Sequence, residues 1–200
     1  MSPAKRVFVI VGHTAALTPR FTLNDLPGSG GRLDILCRCV TAALCLSHSI
    51  RRDVQVYLVL QDQITVRFEG EAVKRLNPDE RSTAALVQRA LERLPAISAS
   101  EEQESTPGVF VSRAGLAAVL ERLKTQSVEL FVLHEHGRDI RTVKIHEPVA
   151  FVLSDHQDLS ASEEALLERC QRLSLGPVAL HADHCIPLVH NELDRRGSEG

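Results

Sequence analysis

Short, continuously apolar stretches alternate along this chain with longer amphipathic ones. Residues 7–11 (VFVIV), 54–60 (VQVYLVL), 128–133 (VELFVL) and 149–153 (VAFVL) are runs of strand length bounded by polar or turn residues. Such runs predict strands buried on both faces, as in a parallel sheet. Residues 64–68 (ITVRF) alternate and stop before Gly70, and residues 108–111 (GVFV) lead into a helical pattern, so each predicts a further strand. Residues 34–48 carry apolar side chains at nearly every position, which predicts a helix buried all round or facing a partner. Asn77-Pro78-Asp79-Glu80 opens a second helix running to about Leu94. A third spans 113–124 with Ser112 as its cap. A fourth spans 160–170, where Ser160 and Glu163 have capping-box spacing. The last runs from about His181 to Arg195, with Cys185, Leu188, Val189 and Leu193 on one face.

Two stretches break the alternation. Residues 14–31 are rich in Pro and Gly, and residues 95–108 (PAISASEEQESTPG) predict an exposed, mobile acidic loop. Strand–helix alternation over residues 1–200 predicts one α/β domain with a mostly parallel sheet. Ligands of such sheets sit beyond the carboxyl ends of the strands. That rule singles out residues 133–137 (LHEHG), 154–156 (SDH) and 174–177 (SLGP).

Composition narrows the function without choosing it. The chain has 200 residues, 44% of them apolar, with six Phe, one Tyr and no Trp, so its core rests on aliphatic side chains. No apolar run reaches the roughly 18 residues of a membrane span. The N-terminus lacks a signal-peptide pattern. Five cysteines, an odd number, do not make a disulfide framework. A cytoplasmic protein is expected. The net charge of −3 disfavours indiscriminate nucleic-acid binding but leaves room for a local basic patch.

The densest polar chemistry lies in residues 173–196 (LSLGPVALHADHCIPLVHNELDRR), where a Leu-Gly-Pro turn meets a helix start bearing His181, Asp183, His184 and Cys185. Helix starts present free N–H groups and a positive dipole end, which suits a polar or anionic ligand. A metal site there lacks a second ligand pair with recognisable spacing, so no metal is expected. Cys185 is either a nucleophile activated by the helix start or a small buried apolar side chain, and packing is the simpler account. Gly28-Ser29-Gly30-Gly31 follows a long loop and is neither a dinucleotide fingerprint nor a phosphate loop. Asp62, just past the second strand, is a carboxylate placed to accept a proton, or an ordinary turn residue. Arg32 and Asp34 read as a substrate anchor with its orienting acid, or as a helix start capped by Asp34. Arg38, Arg51 and Arg52 form a modest basic set nearby.

The segments 8–13 (FVIVGH), 31–40 (GRLDILCRCV), 76–82 (LNPDERS), 151–156 (FVLSDH) and 174–195 (SLGPVALHADHCIPLVHNELDR) resemble the tRNA pseudouridine N1-methyltransferases called TrmY, of the SPOUT class. The resemblance covers nearly the whole chain. It implies a SPOUT-type α/β fold with a C-terminal trefoil knot, and S-adenosylmethionine as the methyl donor. It also implies a cofactor site of Leu133, Ser154, Leu175, Gly176, Pro177, Val178, Ala179, Leu180 and Cys185, with residues 175–180 as turn and strand. The implied reaction methylates N1 of pseudouridine in the tRNA T-loop, at position 54, with Asp62 accepting or orienting the N1 proton. Arg32, Asp34 and Arg38 become substrate-binding candidates. A homodimer would join two copies of the basic set, Arg51 and Arg52 included, into one RNA groove. The alternatives are methylation of another RNA, and an RNA- or cofactor-binding module without activity.

Overall fold

The computed structural model describes residues 4–98 and 101–197. In chain order the elements are β1 (Arg6–Gly12), α1 (Leu33–Leu44), β2 (Val54–Leu60), β3 (Ile64–Glu69), α2 (Glu80–Leu91), β4 (Glu102–Thr106), β5 (Val109–Ser112), α3 (Leu116–Thr125), β6 (Glu129–Asp139), β7 (Val149–Ser154), α4 (Ala161–Leu167), β8 (Gln171–Ser174) and α5 (Ala182–Gly197). The strands form one eight-stranded sheet in the order β4-β5-β3-β2-β1-β7-β6-β8. From β2 to β8 all neighbours are parallel, and β3, β5 and β4 add an antiparallel half.

The continuous apolar runs are explained by burial on both faces. Phe8, Ile10, Val56, Leu58, Phe151 and Leu153 point into one core with α1, α2 and α5, while Val7, Val9, Tyr57, Val59 and Val152 point into a second core with α3. Phe8, Phe151 and Phe131 stack across three neighbouring strands at centroid spacings of 5.8 and 6.0 Å. Buried His190 of α5 meets the Phe8 ring edge-on at 5.0 Å. Helix α1 lies between the sheet, α2 and α5 and is buried on most sides, as its pattern predicts.

Several boundaries differ from the sequence expectation, each for a local reason. Helix α1 stops at Leu44 rather than residue 48, because Cys45 bridges back to Ile50. Its N-cap is Arg32 in the left-handed region, not Asp34. Helix α2 is capped by Asp79, which leaves Pro78 outside the first turn. Ser112 belongs to β5 and does not cap α3, whose N-cap is Gly115. Of the acidic stretch 95–108, residues 99 and 100 lie outside the described residues, and residues 102–106 form β4, an edge strand, rather than a free loop. Glu102 there takes a bidentate ion pair from Arg67, 3.0 and 2.8 Å, and a second from Arg122. The Arg67 guanidinium lies 4.0 Å from the Phe110 ring centroid, so charge pairing and ring stacking overrode low strand propensity. The capping box of α4 is present as expected. On α5 the buried face is Ala182, Ile186, Val189, His190 and Leu193, whereas Leu188 is exposed and Cys185 only partly buried.

The carboxyl end of the parallel half is the part that matters for function. β6 runs past the sheet edge, and its residues meet β8 twice: Leu133 and Arg138 both pair with Leu173. Between them Gly137 approaches so closely that a Cβ would come within 2.6 Å of the Arg172 and Leu173 backbone. Arg196 of α5 then donates to the carbonyls of Ile140 and Val143 at 2.6 and 2.9 Å. β6 therefore stays against β8 through a shift in register, and the segment after it is tied to the last helix.

Candidate active site

A cleft of about 270 Å³ opens where β6, β7 and β8 end. Leu133 and His134 enter it from β6, Leu153 and Ser154 from β7, and Leu173 from β8. The bend after β8 supplies Leu175, Gly176, Val178, Ala179 and Leu180, and α5 supplies Cys185 from its first turns. Every residue expected at the cofactor site is in the lining except Pro177, which belongs to the same bend. Residues 175–180 have no strand structure, contrary to expectation; the strand is β8, just before them. Ser174 Oγ donates to the Gly176 carbonyl at 2.8 Å, which turns the chain out of the sheet.

The cleft suits a ligand with both apolar and polar parts. Space above Gly176 is open, with nothing within 4 Å of where a Cβ would stand. Val178 and Leu180 are 66% and 43% exposed, so apolar surface lies uncovered at the rim. Polar groups of Ser154, His156 and Glu135 also line it. That mixture fits S-adenosylmethionine, whose adenine and thioether need apolar walls and whose ribose and amino-acid ends need polar partners.

The Cys185 thiol is pushed up to about 11 by burial, and next by the Asp183 carboxylate. Its Sγ lies 3.8 Å from the Leu180 carbonyl. Both causes favour the thiol over the thiolate, which suits a residue of the cleft wall better than a nucleophile. Among the described residues, no group of three or more His, Cys, Asp or Glu is placed to hold a metal.

Asp62 does not line the cleft. It follows β2, which lies two strand spacings, roughly 10 Å, from β7 along the same carboxyl edge. Gln61 and Asp62 both sit in the left-handed region, at φ 48° and 53°. These are the backbone angles that a tight hairpin turn between antiparallel β2 and β3 requires, and the Gln63 N–H closes it on the Leu60 carbonyl at 3.0 Å. The turn aims Asp62 at α3, where Oδ1 accepts the Leu116 N–H at 2.6 Å.

Arg32, Asp34 and Arg38 form one network. Arg32 donates twice to Asp34, at 3.1 and 3.2 Å. Arg38 donates to Asp34 and Glu80, each at 3.1 Å, and to Asp183 at 3.2 Å. Burial opposes the Asp34 charge, but hydrogen bonds from Arg32 and Arg38 hold its carboxyl below the usual range. Arg38 thus spends its guanidinium on three carboxylates that join α1, α2 and the start of α5, while Arg32 is the more accessible cation. Of the outer pair, Arg51 is bonded to Asp194 and Arg52 to the Gly70 carbonyl at 2.9 Å.

Sequence reasoning missed His13. It directly follows β1, and its ring stands between Asp155 and Glu163. The only signal was its position after a strand-ending glycine.

The sequence profile of a family of SAM-dependent RNA methyltransferases matches residues 5–198. The chain is 49% identical over 197 residues to the tRNA (pseudouridine(54)-N(1))-methyltransferase of Methanocella arvoryzae, covering 96% of this chain and 100% of that one. It is 50% identical over 196 residues to the protein of the same name from Haloarcula marismortui, covering 97% and 98%. This chain belongs to the TrmY family. Among solved structures, Archaeoglobus fulgidus Nep1 bound to S-adenosylhomocysteine matches with a TM-score of 0.65 at 15% identity, covering 96% of this chain and 98% of that one. At that identity the likeness speaks for the fold, which is of the SPOUT type. For this member of the TrmY family, the profile spans the whole cleft, Asp62 and the Arg32–Asp34–Arg38 network.

Proposed function

We propose that this protein transfers the methyl group of S-adenosylmethionine to N1 of pseudouridine 54 in tRNA. The observation that carries this is identity near 50% with relatives of that activity, sustained over essentially the whole chain. The cleft at the carboxyl ends of β6, β7 and β8 is the site for the methyl donor, with Leu133, Ser154, Leu175, Gly176, Val178, Ala179, Leu180 and Cys185 in its wall and Pro177 shaping the bend. When bound, the cofactor supplies an electrophilic methyl on a sulfonium, so N1 attack needs no bond between enzyme and RNA.

The protein's own task is alignment, which can supply roughly 7–11 kcal/mol of barrier reduction. Asp62 keeps Oδ1 on the α3 amide and turns its other oxygen to the N1–H of the target base, orienting it and taking its proton. Arg32, held by Asp34, contacts the RNA, and Arg38 keeps that pair in place. The double pairing of Leu173 with Leu133 and Arg138 supports the trefoil knot, with β8 and α5 passing through the loop after β6. The exposed Leu46, Val178, Leu180 and Leu188 support a homodimer that covers them and brings a second chain to the site. No helix among the described residues is long and apolar enough to cross a membrane, in keeping with action on tRNA in the cytoplasm.

The test is labelled S-adenosylmethionine with tRNAs that differ only in uridine or pseudouridine at position 54. Label on the pseudouridine form alone is expected. Equal labelling of both, or of neither while ribosomal RNA is labelled, would move the activity to another substrate.

A further inference from the structure

His13 holds one wall of the cleft from outside it. Its backbone N–H donates to Asp155 Oδ2 at 2.8 Å, its Nδ1 is 2.9 Å from Asp155 Oδ1, and its Nε2 is 3.0 Å from Glu163 Oε2. Asp155 lines the cleft. Its Oδ1 also accepts the Gln157 N–H at 2.9 Å, and Ser154 Oγ donates to the Gln157 carbonyl. The carboxylate therefore folds residues 154–157 into the turn that makes this wall. Glu163 is anchored too: its Oε2 accepts the Ser160 N–H at 2.7 Å in the α4 capping box.

Both ring nitrogens face carboxylate oxygens. A neutral imidazole has one N–H and one lone pair, so one contact would set a lone pair against a carboxylate. Only the imidazolium donates to both. The Asp155 side chain is 1% exposed, and a carboxylate that deep needs a cation or several donors. Burial works against the charged ring, yet the hydrogen bonds to Asp155 and Glu163 outweigh it and raise its pKa. The other groups facing the cluster are His156, whose Nδ1 is 3.5 Å from Asp155 Oδ2, Arg32 before α1, and Cys39 of α1, both of which feel the Asp155 charge. Among the described residues, His13 is the one cation that bridges Asp155 to Glu163.

We propose that His13 is a positioning residue of the methyl-donor site: its doubly paired imidazolium fixes the 154–157 wall, and affinity for the donor falls when that proton is lost. The proposal rests on the cleft being the cofactor site. A deprotonated ring releases one of its two carboxylates. If the contact to Asp155 is lost, the wall is held only by its own turn; if the contact to Glu163 is lost, the wall is cut off from α4. Neither His13 nor Glu163 lines the cleft, so the coupling acts through Asp155.

The experiment is calorimetric titration of the full-length protein with S-adenosylhomocysteine between pH 6 and 9, using wild type, His13→Asn and Glu163→Gln. Wild-type affinity should fall at least about fivefold above the imidazolium pKa, the lower end of ordinary site-to-site coupling. His13→Asn, which cannot be charged, should bind weakly and with no such step. Glu163→Gln keeps an acceptor for Nε2 but removes a charge, so the step should move to lower pH. Glu163→Gln carries the test by itself if His13→Asn does not fold. Identical pH profiles for wild type and Glu163→Gln would overturn the proposal, as would full affinity in His13→Asn. Failure of wild type to bind S-adenosylhomocysteine at any pH would instead overturn the cofactor reading beneath it.

Discussion

Asp62 and Leu116 lie 54 residues apart in sequence, and the carboxylate of one closes the helix of the other through a 2.6 Å bond to its N–H. Helix α3 has no cap of its own, because its N-cap is Gly115. A side chain at Gly115 would meet Asp62 Oδ1 at 2.4 Å. The same carboxylate therefore has a structural duty on one oxygen and a free oxygen on the carboxyl edge of the sheet.

These duties separate by substitution. Asp62→Asn keeps a cap acceptor and tolerates the left-handed backbone, so its unfolding midpoint in urea should match wild type. Its methyl transfer should fall by about 10²–10⁴ if the carboxylate serves the proton. Asp62→Ala should lose the cap as well, about 1 kcal/mol. Full activity in Asp62→Asn would remove Asp62 from the reaction.

Cys185→Ala should retain methyl transfer at saturating cofactor, because the thiol is protonated and acts by packing. Its cost should appear in KM for S-adenosylmethionine, within about tenfold, the price of one small buried contact. A collapse of kcat at unchanged cofactor affinity would restore a chemical role.

Leu188 is exposed on α5 at 42%, beside the half-buried Cys185 turn. If the proposed homodimer buries this face, Leu188→Asp should sediment as a monomer where wild type sediments as a dimer, with wild-type helix content, since a charge in an apolar interface is left uncompensated. A variant that sediments as wild type would take α5 out of the dimer contact.

His190 and His13 respond to pH with opposite sign. Burial, then the charges of Arg51 and Arg6, push His190 down to about 4. Between pH 6.5 and 4 the unfolded chain binds a proton that the fold refuses, so stability falls as pH falls, by on the order of 3 kcal/mol in all. The raised pKa of His13 contributes stability that is present below pH 6.5 and lost as pH rises through its folded value. Urea unfolding of His190→Gln should lack most of the loss between pH 6 and 4.5, a window below the range in which His13 gives up its proton. An unchanged loss would mean that the carboxylates alone set it.

Gly137→Ala places a methyl 2.6 Å from the backbone of β8, where no flexible side chain can yield. It should cost roughly 1–3 kcal/mol or more in urea unfolding, the range of overpacking. The loss should exceed that of Gly176→Ala, where the Cβ meets open space.

The patterning of apolar residues was enough to read β1, β2 and β7, because burial on both faces keeps their central positions almost wholly apolar. The Ser160–Glu163 cap was legible for a similar reason: both partners lie within one turn. Strands β4 and β8 were not legible. Four residues of β8 carry no period, and the polar residues of β4 pair with β5 while Arg67, 35 residues earlier, holds Glu102. The cleft residues were found as strand ends and by family resemblance, and all but Pro177 came together.

By itself the sequence determined the class of fold, the family, and which segments come together around one cleft, since these depend on local period and on side-chain types within short segments. Only the tertiary structure decided the partners: that Asp62 caps α3, that Arg38 is shared by three carboxylates, that Gly137 lets β6 press against the β8 backbone, and that His13 stands between Asp155 and Glu163, 142 and 150 residues away. Such contacts join charges far apart along the chain, and no local pattern records which of many Asp, Glu and Arg side chains the packed sheet will bring within 3 Å.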